Sequence, residues 1–151
     1  MTLNDVLTKQ NVFTKISLKE GDKELSKELK VKIMRIRMAY NKIRKNFDSE
    51  LQEFMESLLT DEFKTLNSKT DKTSEEEEQY QKYVNDINSE YQEFVSQKSK
   101  EEVTIIDDTF NMNEYSEIVE VNAGVDVEIN GSKVTPADFL EIIYDLFVKE
   151  D

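Results

Sequence analysis

The sequence has no His, no Cys and no Trp, and only 3 Gly and 1 Pro in 151 residues. Without imidazole or thiol there is no histidine acid–base chemistry, no cysteine nucleophile, no zinc site of the usual kind and no disulfide framework. Three glycines leave no Gly-rich phosphate loop, and no serine sits in a nucleophile-elbow setting. No run approaches the roughly 18 apolar residues of a membrane span, and residues 1–10 lack the pattern of a signal peptide. These absences predict a soluble, unexported, non-enzymatic protein with no catalytic residue, no cofactor, no metal and no membrane association.

What the chain does contain is charge. Acidic residues outnumber basic ones 33 to 20, for a net charge of −13, and charged side chains make up 35% of the composition. Such a composition at low hydropathy can mean disorder, but 8 Phe, 6 Tyr and clear apolar periodicity point to a folded chain. The length suits one compact unit, or one unit with a long helical arm. The charge is zoned: residues 1–47 balance at +7, residues 48–100 at −8 and residues 101–151 at −12. Asymmetry of this kind is expected to find its complement within the fold or on a partner.

Hydrophobic spacing sets the expected elements. Val12, Phe13, Ile16 and Leu18 lie in a partly alternating, β-branched and aromatic run that predicts a short strand, followed by a turn at Gly21-Asp22. From Leu29 the apolar residues Leu29, Ile33, Ile36, Tyr40, Ile43, Phe47, Leu51, Phe54 and Leu58 are spaced 4, 3, 4, 3, 4, 4, 3 and 4, the stripe of one long helix. Residues 60–74 read as a connection with one frayed turn near Phe63 and Leu66. Ser74 is the expected N-cap of a second helix whose stripe is Tyr80, Val84, Ile87, Tyr91 and Phe94, ending near Ser99. Two such helices joined by a short connection are expected to fold back antiparallel.

Beyond residue 100 the runs 103–106, 118–121 and 125–129 read as strands. Asn130-Gly131 is a tight hairpin turn, and Thr135-Pro136 opens a strongly apolar helix through Phe147. The expected fold is therefore α+β, mainly α: a long antiparallel helical hairpin (23–100) with a small β-hairpin/helix module (101–151) packed on its base, after an N-terminal segment (1–22) with a short strand, all in one structural domain.

Several side chains invite a functional reading. Glu75 to Glu78 could bind cations or a basic surface, and also suit a solvated helix N-terminus. Asp107-Asp108 and Asp126-x-Glu128 could hold a divalent ion, but neither sits in a calcium-loop pattern. Lys27, Lys30, Lys32, Arg35, Arg37, Lys42, Arg44 and Lys45 concentrate basic charge on the long helix. In so acidic a chain an internal electrostatic partner or a snorkelling helix surface is expected for them, and direct nucleic-acid binding is not. Val31, Met34 and Met38 form a second apolar line beside the main stripe. Either another part of the chain covers it or it docks a partner, since Met suits adaptable surfaces. The partner-binding candidates are accordingly Val31, Met34 and Met38 on the long helix, and Leu146 and Phe147 on the last. The Tyr residues at 40, 80, 83, 91 and 115 are expected to pack with hydroxyls at the rim.

In order and pattern the chain resembles an uncharacterised family of small tailed-bacteriophage proteins. The stretches that carry the likeness are Glu28-Leu-Lys-Val-Lys-Ile33, Tyr91-Gln-Glu-Phe94, Glu102-Val-Thr-Ile-Ile106 and Thr135-Pro-Ala-Asp-Phe-Leu140. An added hairpin at residues 121–134 departs from that pattern. The resemblance implies a phage origin, a place in the host cytoplasm or the virion, and a virion component or assembly factor that engages other phage proteins. A host or defence protein as the target of an acidic inhibitor, and a homo-oligomer built on the long helix, are the other readings left open.

Overall fold

The computed structural model describes residues 1–105 and 107–150. It is α+β and mainly α, with six helices and two small antiparallel hairpins among the described residues. Contacts divide the chain into two compact units. One is formed by Met1–Arg44 with Glu102–Asp151, the other by Lys45–Glu101. The long helix contributes to both, so the division falls inside the expected hairpin rather than at its ends.

The discontinuous unit begins with α1, Leu3–Phe13, where a strand was expected at its far end. Thr2 and Asp5 cap this helix reciprocally, the Asp5 amide donating to Thr2 Oγ1 (3.2 Å) and the Thr2 amide to Asp5 Oδ2 (2.9 Å). Val12 and Phe13 thus close a helix, and the next strand along the chain is two residues long. It is β1, Lys19–Glu20, paired with β2, Lys23–Glu24, around Gly21 at φ +61°. Helix α2, Lys27–Leu58, follows as expected, and its Leu29, Ile33, Ile36 and Tyr40 are buried. Ser26 opens it. The Ser26 amide and hydroxyl both donate to the Glu117 carboxylate (2.9 and 3.3 Å), which ties this helix start to a distant segment.

That segment is α5, Met112–Asn122. The run 118–121 is helical, not a strand, because Asn111 and Glu114 form a capping box (2.8 and 3.0 Å) and Ile118, Val121 and Asn122 fall on one buried face. Val103 to Ile105 form no strand either. Among the described residues the pairing there is one bridge, Thr2 with Glu102, and the bond from the Val103 amide to the Met1 carbonyl (2.8 Å), too little to set a strand. Ile106 lies outside the described residues. The expected turn at Asn130-Gly131 is present, with φ +52° and +80°, and joins β3, Val127–Ile129, to β4, Ser132–Val134. The added hairpin thus spans residues 127–134 rather than 121–134. Helix α6, Pro136–Phe147, starts at an N-cap Thr135 that accepts from the Asp138 amide (3.2 Å).

The core of this unit is aromatic at its centre. Phe13 lies edge-on to Tyr40 (5.5 Å between ring centroids) and Phe147 (5.2 Å) and stacks with Phe110 (5.8 Å). Three other chain segments therefore converge on Phe13. Fully burying each such ring contributes about 1.5–3 kcal/mol.

The second unit holds the last turns of α2, then α3, Asp61–Ser68, and α4, Ser74–Ser99. The expected frayed turn is a complete short helix, because Thr60 accepts from the Phe63 amide (3.1 Å) and fixes its start. Helix α4 is capped one residue earlier than expected, by Thr73 in a capping box with Glu76. Lys69 pairs with Glu76, and this, with the Thr73 amide, holds the Glu76 carboxyl below its ordinary range. Phe54 stacks on Phe94 (4.3 Å) and Glu50 pairs with Lys98 (2.5 Å), so α2 and α4 run antiparallel within this unit.

Candidate interaction surfaces

On α2 the buried stripe and the line Val31, Met34, Met38 lie on opposite sides of the helix, given about 100° of rotation per residue. The structure leaves that line uncovered: Val31 is 58% exposed, Met34 53% and Met38 71%. Together they form an apolar ridge about 10 Å long at 1.5 Å per residue. Lys27 and Lys42 are exposed at its ends and Arg35 at its side, so the ridge is edged with positive charge. Among the described residues none covers it.

The other two sequence candidates separate. Phe147 is only 1% exposed and is a core residue, its ring against Phe13 and Phe110. It is unavailable to a partner because α6 turns this face inward, where its backbone also bonds Phe110 (Phe110 amide to Phe147 carbonyl, 2.7 Å). Leu146, half-buried, lines a hollow of about 390 Å³ with Met1, Asp5, Thr8 and Lys9.

Part of the basic concentration on α2 does find internal partners, as expected. Lys32 reaches Glu114 (3.0 Å) and Asp107 (3.8 Å), Arg35 reaches Asp107 (3.6 Å), and Lys30 pairs with Glu24. Arg37 donates to the Ile16 carbonyl, and Arg44 to Gln10 Oε1 (3.0 Å). The N-terminal and C-terminal segments thus answer much of the positive charge of α2 within one unit, each exposed pair contributing roughly 0–1 kcal/mol.

Two buried polar groups carry no sequence signature. Asn122 is fully buried, accepts from the Ser17 amide (2.8 Å), and donates to the carbonyls of Ser17 (3.1 Å) and Ile118 (2.9 Å). It stitches the end of α5 to the chain between α1 and β1. The Tyr40 hydroxyl, expected at a rim, is buried and donates to Asp108 Oδ2 (2.7 Å), with Lys9 3.7 Å from the same oxygen. Burial, then the hydrogen bond to Asp108, push the Tyr40 phenol well above its ordinary value. Both groups are occupied by structural bonds. Tyr40 belongs to the same buried hydrophobic cluster as Phe110, so its bond to Asp108 reads as part of the core.

In the Lys45–Glu101 unit the aromatic seam is shallow. Besides Phe54 on Phe94, Phe63 stacks on Tyr80 (5.7 Å), and the Tyr80 and Tyr83 hydroxyls donate to Asn67 (3.0 Å) and Glu62 (2.5 Å). Yet among the described residues none from Lys45 to Glu101 is buried, and Tyr91, on the α4 stripe, is 39% exposed. A hollow of about 750 Å³ on this unit is lined by Lys72, Glu77, Lys82, Asp86 and neighbouring polar residues, on the side of α4 away from its apolar stripe. Every residue that lines it is polar or charged, without the hydrophobic and aromatic side chains of a typical small-molecule site. No group of three acidic side chains among the described residues is placed to hold a metal ion, at 107–108, at 126–128 or elsewhere.

No helix among the described residues is long and apolar enough to cross a membrane. Comparison of the chain with protein-family models, curated proteins and solved structures finds no match.

Proposed function

We propose that this chain is a non-enzymatic docking protein, phage-encoded, that joins other phage proteins during assembly or within the particle. The observation that carries the docking reading is the exposed ridge Val31, Met34, Met38 on the face of α2 opposite the core. An amphipathic helix face of this kind fits an apolar groove on a partner, and the exposed lysines at its ends favour a groove with an acidic rim. The resemblance to small tailed-phage proteins supports the phage setting and the host cytoplasm or virion as its place.

The test is affinity purification of the tagged chain from infected cells, beside the double variant Met34→Glu/Met38→Glu. Capsid, connector or tail proteins recovered with the parent chain and lost with the variant are expected. Recovery of the same proteins by both chains would remove the ridge from the account. A second reading, an inhibitor of a host or defence protein, draws on the exposed Glu75, Glu77 and Glu78 and the −8 balance of Lys45–Glu101. An acidic surface of this kind could fill a nucleic-acid-binding cleft. It predicts one host protein in the eluate, released by moderate salt, whereas apolar docking resists salt.

A further inference from the structure

The Lys45–Glu101 unit poses a physical problem: it carries a long aromatic and aliphatic seam that is only half-buried, and Tyr91 on it is 39% exposed. A pair of amphipathic helices shields only one flank of each stripe, and so small a unit rarely holds itself together on partial burial. Something is needed against the open flank, and charge says what kind. The unit holds 7 basic and 15 acidic residues, and Glu90 is exposed next to Tyr91 on α4. An acidic rim around an apolar seam selects a basic amphipathic helix and repels a copy of itself.

The chain supplies a helix face of that chemistry. Lys27 and Lys42 are exposed at the two ends of the ridge Val31, Met34, Met38, which itself stands exposed. We infer that the hairpin seam of one copy receives the α2 ridge of a second copy. The inference rests on the ridge being a docking face, and it adds the occupant and the receiving surface. Every copy carries both surfaces, so association proceeds by one kind of contact whether pairs close or chains extend. Long-range repulsion between chains of charge −13 is screened beyond about 8 Å at physiological salt, which leaves the local complementarity to decide.

The experiment is sedimentation equilibrium of the full chain across micromolar concentrations, with two variants whose helicity is checked by circular dichroism. Met38→Glu spoils the ridge at a position 71% exposed, and Tyr91→Lys places a cation on the seam. The parent chain is expected to self-associate. Each variant alone should weaken this by about tenfold or more, or 1.4 kcal/mol. Mixing the two should restore a complex, because the first retains an intact seam and the second an intact ridge. Should Tyr91→Lys melt the hairpin, Glu90→Lys tests the same rim from an exposed position without touching the stripe. A parent chain that stays monomeric overturns the inference, and so does association that Met38→Glu leaves unchanged or mixing that restores nothing. Capture of phage proteins through the ridge is a separate readout, so a monomeric chain that still captures them leaves the docking reading standing.

Discussion

Phe13 and Phe94 are both aromatic residues on amphipathic helices, and both stack on another Phe, yet Phe13 is fully buried while Phe94 stays partly exposed. The difference lies in what surrounds them. In the discontinuous unit, α1, α2, α5, α6 and the segment at Phe110 close around Phe13 from several directions. In Lys45–Glu101 Phe54 on Phe94 joins α2 to α4 and Phe63 on Tyr80 joins α3 to α4, and no residue there is buried. Helix α2 makes the point within a single element. Its apolar residues keep the same spacing from Leu29 to Leu58, but its buried residues end at Tyr40. Periodicity states which face is apolar; the number of neighbouring elements decides whether that face becomes core or docking surface.

The contrast can be broken most directly at the two phenylalanines. Phe13→Ala should cost about 3–5 kcal/mol in urea unfolding, because a central ring with three aromatic neighbours leaves a cavity. Phe94→Ala should cost about 1–2 kcal/mol, the partial burial plus one stacking pair. Equal costs would contradict the contrast. Between these values lies Asn122→Ala, expected to lose about 1–3 kcal/mol by stranding the amide and carbonyl of Ser17.

A pH dependence sharpens the same comparison. The Tyr40 phenol titrates higher in the folded chain than in the unfolded one, from burial first and the Asp108 bond second. The folded state therefore holds this proton more tightly. Its contribution is complete below the unfolded value near pH 10 and is lost as pH rises above it. Alkaline titration followed by near-ultraviolet circular dichroism should show the discontinuous unit loosening above about pH 10, and Tyr40→Phe should flatten that dependence while lowering stability at neutral pH by about 1–3 kcal/mol. The smallest effect belongs to the ridge. Met34→Glu/Met38→Glu should change stability by no more than about 0.5 kcal/mol per site, since both side chains face solvent. A thermal scan of the double variant checks this, and a large loss would mean the ridge is covered.

Much of this architecture is legible in the residues. The stripe from Leu29 to Leu58, the stripe from Tyr80 to Phe94, Asn130-Gly131 and Thr135-Pro136 each carry a local signal strong enough to set an element. Helix α1 was obscured because its last turn, Val12-Phe13, is β-branched and aromatic, although Thr2-x-x-Asp5 is a capping pattern at its start. Helix α5 was obscured in the same way by Ile118 and Val119, with Asn111-x-x-Glu114 as the overlooked signal. Residues 103–105 have strand composition but no strand beside them, which is a tertiary fact. The exposed ridge was legible as a second apolar line; that none of the described residues covers it was not, because cover depends on where α5, α6 and the N-terminal segment pack. Asn122 and Asp108 give no local hint at all, since a buried polar residue looks like any surface one until its partners are in place.

Hydrogen exchange of the full chain, resolved by peptide, tests the central contrast most directly. At low concentration the amides of α5, α6 and α2 up to Tyr40 should exchange only through global unfolding, while those from Lys45 to Glu101 exchange through smaller openings, faster by at least about tenfold. Equal protection across the chain at low concentration would contradict an open hairpin beside a closed core.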